Sequence, residues 1–298
     1  LAVHSPMEKK EETAGIRYRE SFLVRSCEVD PVGMARLTAI ANYFQEVAHN
    51  HANRLGVGYR QLKEKQTLWV LSRMRMHFFR YPAWEEEVTV ETWPSGIDKL
   101  FALRDFRMLS NKGELLCTAR SAWLILRADG RRPVRPENEP FFRELRNRGL
   151  AEELPEEDPE MAPEGSSEGS SEGFFEGLSV KNLVASEGRP LEKLPVNEAG
   201  EKRTASLALH QVAWSDLDVM GHVNNVKYLE WCLDGVLKEE VFGIGAPVSE
   251  FEINYLHEAL PGERIELRTY LPGPGKAFIV AKKEGEGKEI FRARITAS

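Results

Sequence analysis

Cysteine is scarce. Cys27, Cys117 and Cys232 are the three in 298 residues, an odd count with no close pair. That excludes a disulfide framework and a zinc site built on paired thiolates, and it points to a reducing compartment. Long apolar runs are missing as well: nothing approaches the ~20 residues needed to cross a bilayer, so stable membrane insertion is not expected. The opening "LAVHSPMEKKEETAG" lacks the apolar stretch of a cleavable signal. Residues 1–15 read as a disordered tail, with those before Met7 an expression remnant. Positive charge is in deficit, 40 Lys and Arg against 47 Asp and Glu, and the net charge of −7 argues against nucleic-acid binding.

The hydrophobic content is ordinary, 42%, which suits one large or two small domains. In the first half "SFLVRS" reads as a strand. Ile40, Tyr43, Phe44, Val47 and His51 then recur at helical spacing between Leu37 and Leu55, with Gly56 as a stop. "TLWVLSRMRMHFF", "EEVTVETW", "LFALRDFRML" and "LLCTARSAWLIL" read as strands, with turns at Pro82, Pro94-Ser95-Gly96 and Asn111-Lys112-Gly113. The second half repeats the order. "ASLALHQVAW" is a strand, and Val226 to Val236 is an amphipathic helix. "VSEFEINYL", "RIELRTYL", "KAFIVAKK" and "KEIFRARIT" are strands, with turns at Pro261-Gly262, Pro272-Gly273 and near Gly285. At the strand-to-helix junction the halves superpose without a gap and at one constant offset. Asp218 falls on Asp30, Gly221 on Gly33 and His222 on Met34.

One long helix and several antiparallel strands, present twice, predict an α+β tandem hot-dog, each half a curled sheet around an apolar helix. The expected halves are residues 16–150 and 179–298. Between them lies "AEELPEEDPEMAPEGSSEGSSEGFFE", without Lys or Arg. It reads as an acidic flexible linker or insertion over residues 151–178.

Chemistry gathers in "SDLDVMGHVNNVKYLEW", residues 215 to 231. If the helix begins near Asn224 or Asn225, Asp218 and His222 sit in the loop that enters it. Its first N–H groups favour developing negative charge. Gly221 lets a carbonyl approach the backbone. Gly221, Asn224 and Asn225 are thus candidate oxyanion donors, beside an Asp and a His. The residues equally allow a turn-capping aspartate and a structural histidine. The first copy has Met34, Arg36 and Leu37 where the second has His222, Asn224 and Asn225, which puts chemistry in the second copy. Met34, Phe44 and Trp69 become candidate walls for an apolar ligand, or plain core. Glu258, ending an apolar strand, is a candidate general base or an exposed strand-end carboxylate. Of Glu258 and His257 only one should face the site. Cys232, on an apolar helix face, reads as buried and inert. A basic island holds Arg131, Arg132 and Arg135; it fits docking of an acidic partner or a solvated face.

At "WSDLDVMGHVNNVKYLEW" the chain resembles the acyl-[acyl-carrier-protein] thioesterases of plant plastids and bacteria. The likeness runs from about Tyr18 to Ala297. It implies a double hot-dog, no cofactor and no metal, and hydrolysis of the thioester between a fatty acyl chain and its carrier protein. The N-terminal half would shape the acyl pocket. Asp218, His222 and Glu258 match the family's motif positions. Met220 stands where the family often has Asn, and Ala259 stands where an older proposal put a nucleophilic cysteine.

Three other readings compete. "EVDPVGMARLTAIANYF" faintly resembles the Asp-Pro-x-Gly loop of acyl-CoA thioesterases of the 4-hydroxybenzoyl type and would make Asp30 catalytic. Hot-dog hydratases separate their Asp and His by one residue more than Asp218 and His222 are separated. A non-catalytic acyl-binding protein would fit Met220. A bacterial, cytoplasmic source is expected over the plastid stroma, and a homodimer is open because hot-dog sheets pair edge to edge.

Overall fold

The computed structural model describes residues 17–147, 204–236 and 247–297. The expected tail and the acidic insertion lie outside the described residues. The first half holds β1 (Tyr18–Leu23), α1 (Leu37–Arg54), α2 (Tyr59–Glu64), β2 (Thr67–Phe78), β3 (Glu87–Asp98), β4 (Phe101–Ser110) and β5 (Leu115–Arg127). A two-residue β6 (Pro133–Val134) and α3 (Pro140–Asn147) follow. The second half holds β7 (Thr204–Gln211), α4 (Asn225–Val236), β8 (Val248–Tyr255), β9 (Arg264–Gly273), β10 (Lys276–Lys283) and β11 (Glu289–Ala297).

The strands form one antiparallel sheet in the order β1-β3-β4-β5-β2-β8-β11-β10-β9-β7, with β6 on β5. Each half runs helix-bearing edge strand, then meander, then centre, so the second half mirrors the first. This is the tandem hot-dog. The halves meet where β2 pairs with β8, from Arg73 opposite Asn254 to His77 opposite Glu250. Met76 and Phe251 face each other there, fully buried. The edge pairing expected of hot-dog sheets is therefore satisfied within one chain at this seam.

α1 turns Leu37, Ile40, Phe44, Val47 and His51 inward, the spacing of one helical face. Gly56 follows it with φ 71°, the left-handed conformation that ends helices. α4 buries Val226, Leu229, Cys232 and Val236 on the corresponding face. Side chains of both helices and of both half-sheets form a single apolar cluster, so the halves share one core.

Two expected turns are strand instead. β3 runs through Pro94-Ser95-Gly96, its register shifting between Pro94 and Gly96. Such an irregularity is where a strand tolerates proline's missing N–H. The chain reverses at Lys99, with φ 56°. Likewise β9 continues through Pro272-Gly273, and the reversal comes at Gly275, φ 63°. The first strand begins at Tyr18, ahead of "SFLVRS".

Across the seam Glu250 is paired with Arg75, and His77 Nδ1 lies 3.9 Å from it. His77 first, then Arg75, hold the Glu250 carboxyl down to about 2 against the opposing effect of burial. The folded value lies below the unfolded one. The ionised carboxylate therefore stabilises the seam above about pH 4.5, and this is lost as pH falls toward 2. Glu250→Gln should lower Tm at pH 7 and flatten the decline of Tm with acid in that window. Thermal scans at several pH values check this, and a decline as steep as the wild type's would count against it.

Candidate active site

The loop between β7 and α4 is built by its own polar groups. Asp216 is buried, and its Oδ2 accepts the Ala213 N–H at 2.8 Å and lies 3.1 Å from His210 Nε2. The Asp218 N–H donates to the His222 carbonyl at 2.8 Å and the Gly221 N–H to the Asp218 carbonyl at 3.0 Å. Asp218 Oδ1 accepts the Met220 N–H at 2.8 Å. Gly221 needs its lack of a side chain, since its φ is 75°. The Asn224 N–H donates to the Asp216 carbonyl at 2.8 Å, and Asn224 Oδ1 accepts the Val226 N–H at 3.0 Å, which makes Asn224 the N-cap of α4.

Two tyrosines tie the segment after β8 to this loop. Tyr228 Oη accepts the Ala259 N–H at 3.0 Å, and Tyr255 donates to the Asn225 carbonyl at 3.1 Å. Burial pushes the Tyr228 phenol up, so it stays protonated. The Val223 N–H reaches the Ala259 carbonyl at 3.3 Å. Glu258 is thereby set against His222, Oε2 to Nε2 at 2.9 Å. The other carboxylate oxygen, Oε1, is held by Arg131 Nη1 from the first half.

The first copy shows which parts are scaffold. Asp30 makes the same turn as Asp218, its N–H donating to the Met34 carbonyl at 2.8 Å and its carbonyl accepting the Gly33 N–H at 3.0 Å. Asp30 Oδ1 accepts the N–H groups of Val32 and Met34, at 3.0 and 2.9 Å. Glu28 caps Arg25 as Asp216 caps Ala213. The Ala35 N–H reaches the Pro82 carbonyl as Val223 reaches Ala259, so Tyr81 occupies the place of Glu258. Asp218 thus has a structural twin, and the His222–Glu258 pair is what the second copy adds. Asp218 touches His222 through the backbone, and it is Glu258 that contacts the imidazole. The oxyanion role expected for the backbone N–H groups of Gly221 and Asn224 meets a conflict: both are already donated within the loop.

A narrow cleft lies between α1 and α4. Phe44, Leu71, Met74, Phe106 and Leu229 give it apolar walls, and Asn225 lines it as well. Of the expected wall residues Phe44 lines it. Met34 is half-buried in the first-copy loop. Trp69 packs with Phe142 and Val134 in a separate cluster, its Nε1 donating to the Val57 carbonyl at 2.9 Å. His257 faces away, with Nδ1 2.6 Å from the Glu289 carbonyl. Cys232 is fully buried, and burial pushes its thiol well up. Arg132 and Arg135 are exposed. The engagement of Arg131 with Glu258 had no signal in the sequence, because the two are brought together only by the seam.

Residues 15–141 match the family model "Acyl-ACP thioesterase N-terminal domain", and residues 200–296 match "Acyl-ACP thioesterase C-terminal domain". The chain belongs to the acyl-ACP thioesterase family. It is 31% identical to the chloroplastic palmitoyl-acyl carrier protein thioesterase of Arabidopsis thaliana over 233 residues, 74% of this chain and 47% of that protein. It is 27% identical over 300 residues to the chloroplastic dodecanoyl-[acyl-carrier-protein] hydrolase of Cinnamomum camphora, 94% of this chain and 67% of that one. The chain spans about half the length of the first curated relatives it matches. Two solved structures share the fold. They are an acyl-ACP thioesterase from Bacteroides thetaiotaomicron (TM-score 0.72, 21% identity) and the 12:0-ACP thioesterase from Umbellularia californica (TM-score 0.71, 22% identity). Each comparison covers 95% of this chain and 98% of the other. Among the described residues no helix is long and apolar enough to cross a membrane.

In this member of the acyl-ACP thioesterase family the Asn224 cap sets where α4 begins. Asn224→Ala should destabilise the protein by about 1 kcal/mol and speed amide exchange at Val226. A denaturant midpoint equal to the wild type's, with Val226 still protected, would remove the cap from the account.

Proposed function

We propose that the chain hydrolyses fatty acyl-[acyl-carrier-protein] thioesters and releases free fatty acid, the reaction that ends chain growth in fatty acid synthesis. One observation carries the reading. The apolar cleft is lined in part by Asn225, the first residue of the helix whose entry loop presents His222 to Glu258. An acyl chain lying in that cleft would bring its carbonyl to a carboxylate–imidazole pair. The relatives that act on palmitoyl- and dodecanoyl-[acyl-carrier-protein] support the substrate class.

The chemistry needs a base, an anion stabiliser and a leaving group. Glu258 takes a proton from water as the water oxygen attacks the thioester carbon. His222 in its imidazolium form donates from both ring nitrogens, one to Glu258 and one toward the forming oxyanion. The Asn225 side-chain amide, in the cleft lining, is a further donor. Collapse of the tetrahedral species breaks the carbon–sulfur bond. The thiol of the pantetheine arm has a pKa near ~8.5 and leaves without strong acid help. Asp218 serves by holding the turn that presents His222. No cofactor is required by this route. Exposed Arg132 and Arg135 support docking of an acidic carrier protein. The acidic insertion supports bacterial cytosol over plastid stroma as the setting.

The test is hydrolysis of C8 to C18 acyl groups on carrier protein and on coenzyme A. A preference for carrier-protein thioesters with a chain-length optimum is expected. Preference for coenzyme A would transfer the activity to an acyl-CoA thioesterase, and failure on both would leave acyl binding alone. Glu258→Gln and His222→Ala should each reduce kcat/KM about 100-fold or more. Full activity in Glu258→Gln would refute the assignment of the base.

A further inference from the structure

The residue that completes the second-copy site comes from the first copy. β5 ends at Arg127 and turns through Gly130, φ 76°, and Arg131, φ 50°, before the Arg127 N–H donates to the Arg132 carbonyl at 2.9 Å. A left-handed φ is unfavourable for any residue with a side chain, and such positions concentrate at functional sites. The topology explains the hairpin's reach. The end of β5 pairs with the start of β2, Arg127 opposite Thr67. β2 pairs antiparallel with β8, so the start of β2 points toward where β8 ends, and Glu258 follows β8 by three residues. The hairpin tip therefore projects at the site, and the Arg131 guanidinium sits on Glu258 Oε1.

That contact conflicts with base catalysis while it lasts. Both carboxylate oxygens are engaged, Oε2 by His222 and Oε1 by Arg131. The conflict resolves when charge is followed through the step. Water gives its proton to Glu258, whose carboxylate becomes neutral. The negative charge appears on the former carbonyl oxygen. A guanidinium presents five donors in a planar fork and keeps its charge throughout, so it follows the anion. It has a reason to leave Glu258 at the moment the oxyanion forms. The backbone N–H groups of Gly221 and Asn224 are already donated, which leaves room for such a donor.

We propose that Arg131 is a catalytic residue supplied by the N-terminal half, moving from Glu258 to the oxyanion of the thioester carbon and then to the carboxylate of the released fatty acid. This rests on the thioesterase reading for its chemical step. Its equilibrium consequence can be tested without turnover. Glu258 and a fatty carboxylate compete for one guanidinium, so removing Glu258 should tighten binding of the carboxylate only while Arg131 is present.

Dodecanoate and the uncharged dodecanol, titrated calorimetrically into the wild-type chain and variants, test this. The wild type should prefer dodecanoate. Glu258→Gln should bind it several-fold more tightly than the wild type does. Arg131→Gln should lose most of that preference, and the double variant should behave as Arg131→Gln does. If Glu258→Gln tightens dodecanoate equally with Arg131 absent, general repulsion explains the effect and the proposal fails. It fails also if Arg131→Gln keeps the preference for the acid undiminished. With acyl-carrier-protein substrate, Arg131→Gln should lose about 100-fold in kcat with little change in KM, and Arg131→Lys should recover part of it. A chain that shows the binding pattern yet hydrolyses no thioester would sink the proposed function while upholding Arg131 as the carboxylate's partner.

Discussion

The antiparallel pairing of β2 with β8 is the contact on which the rest depends. It joins two curled half-sheets by their edges and lays α1 and α4 side by side over one concave surface. Without it neither half would cover its helix fully, because the apolar cluster draws on both. The same pairing fixes the cleft between the helices and points the end of β5 toward the end of β8. The seam is apolar on one face, where Met74 meets Ile253 and Met76 meets Phe251, and charged on the other, where Glu250 is held by Arg75 and His77.

Repetition and divergence are separable in this molecule. The turn made by Asp30 and Asp218 recurs with hydrogen bonds alike to within a few tenths of an ångström, and so do the caps made by Glu28 and Asp216. Those bonds belong to the fold. Met34 and Tyr81 occupy in the first copy the places that His222 and Glu258 take in the second. There the Tyr81 ring stacks on Phe78 and its hydroxyl donates to the Val248 carbonyl at 2.9 Å. One copy gives those two positions to packing and the other sets an imidazole against a carboxylate there.

Much of this was legible in the sequence because periodicity is local. The inward stripe of α1 and the strand alternation are written over a few residues each, and the repeat showed that the pattern occurs twice. The tandem hot-dog followed, and the family's motif drew attention to His222 and Glu258. What stayed hidden was non-local or competitive. Pro94 suggested a turn, but a bulge accommodated it within β3. Asp218 stood out beside His222, and its Oδ1 also accepts the Met220 N–H of its own turn. Trp69 looked like wall material, but β2 changes sides at the register shift between Leu71 and Arg73 and carries it to another cluster. The meeting of Arg131 with Glu258 spans 127 residues of sequence and depends on strand pairings in succession.

Joining the halves covalently has a consequence for how such a site can change. In a symmetric dimer of separate chains every substitution is made twice, so a residue that improves one loop is forced upon its twin. Here each position is inherited once. The second loop can gain an imidazole while the first keeps a thioether, and an arginine can grow out of one hairpin toward a carboxylate that has no counterpart across the seam. Asymmetry is thus open to this protein at no cost to the pairing that makes it fold.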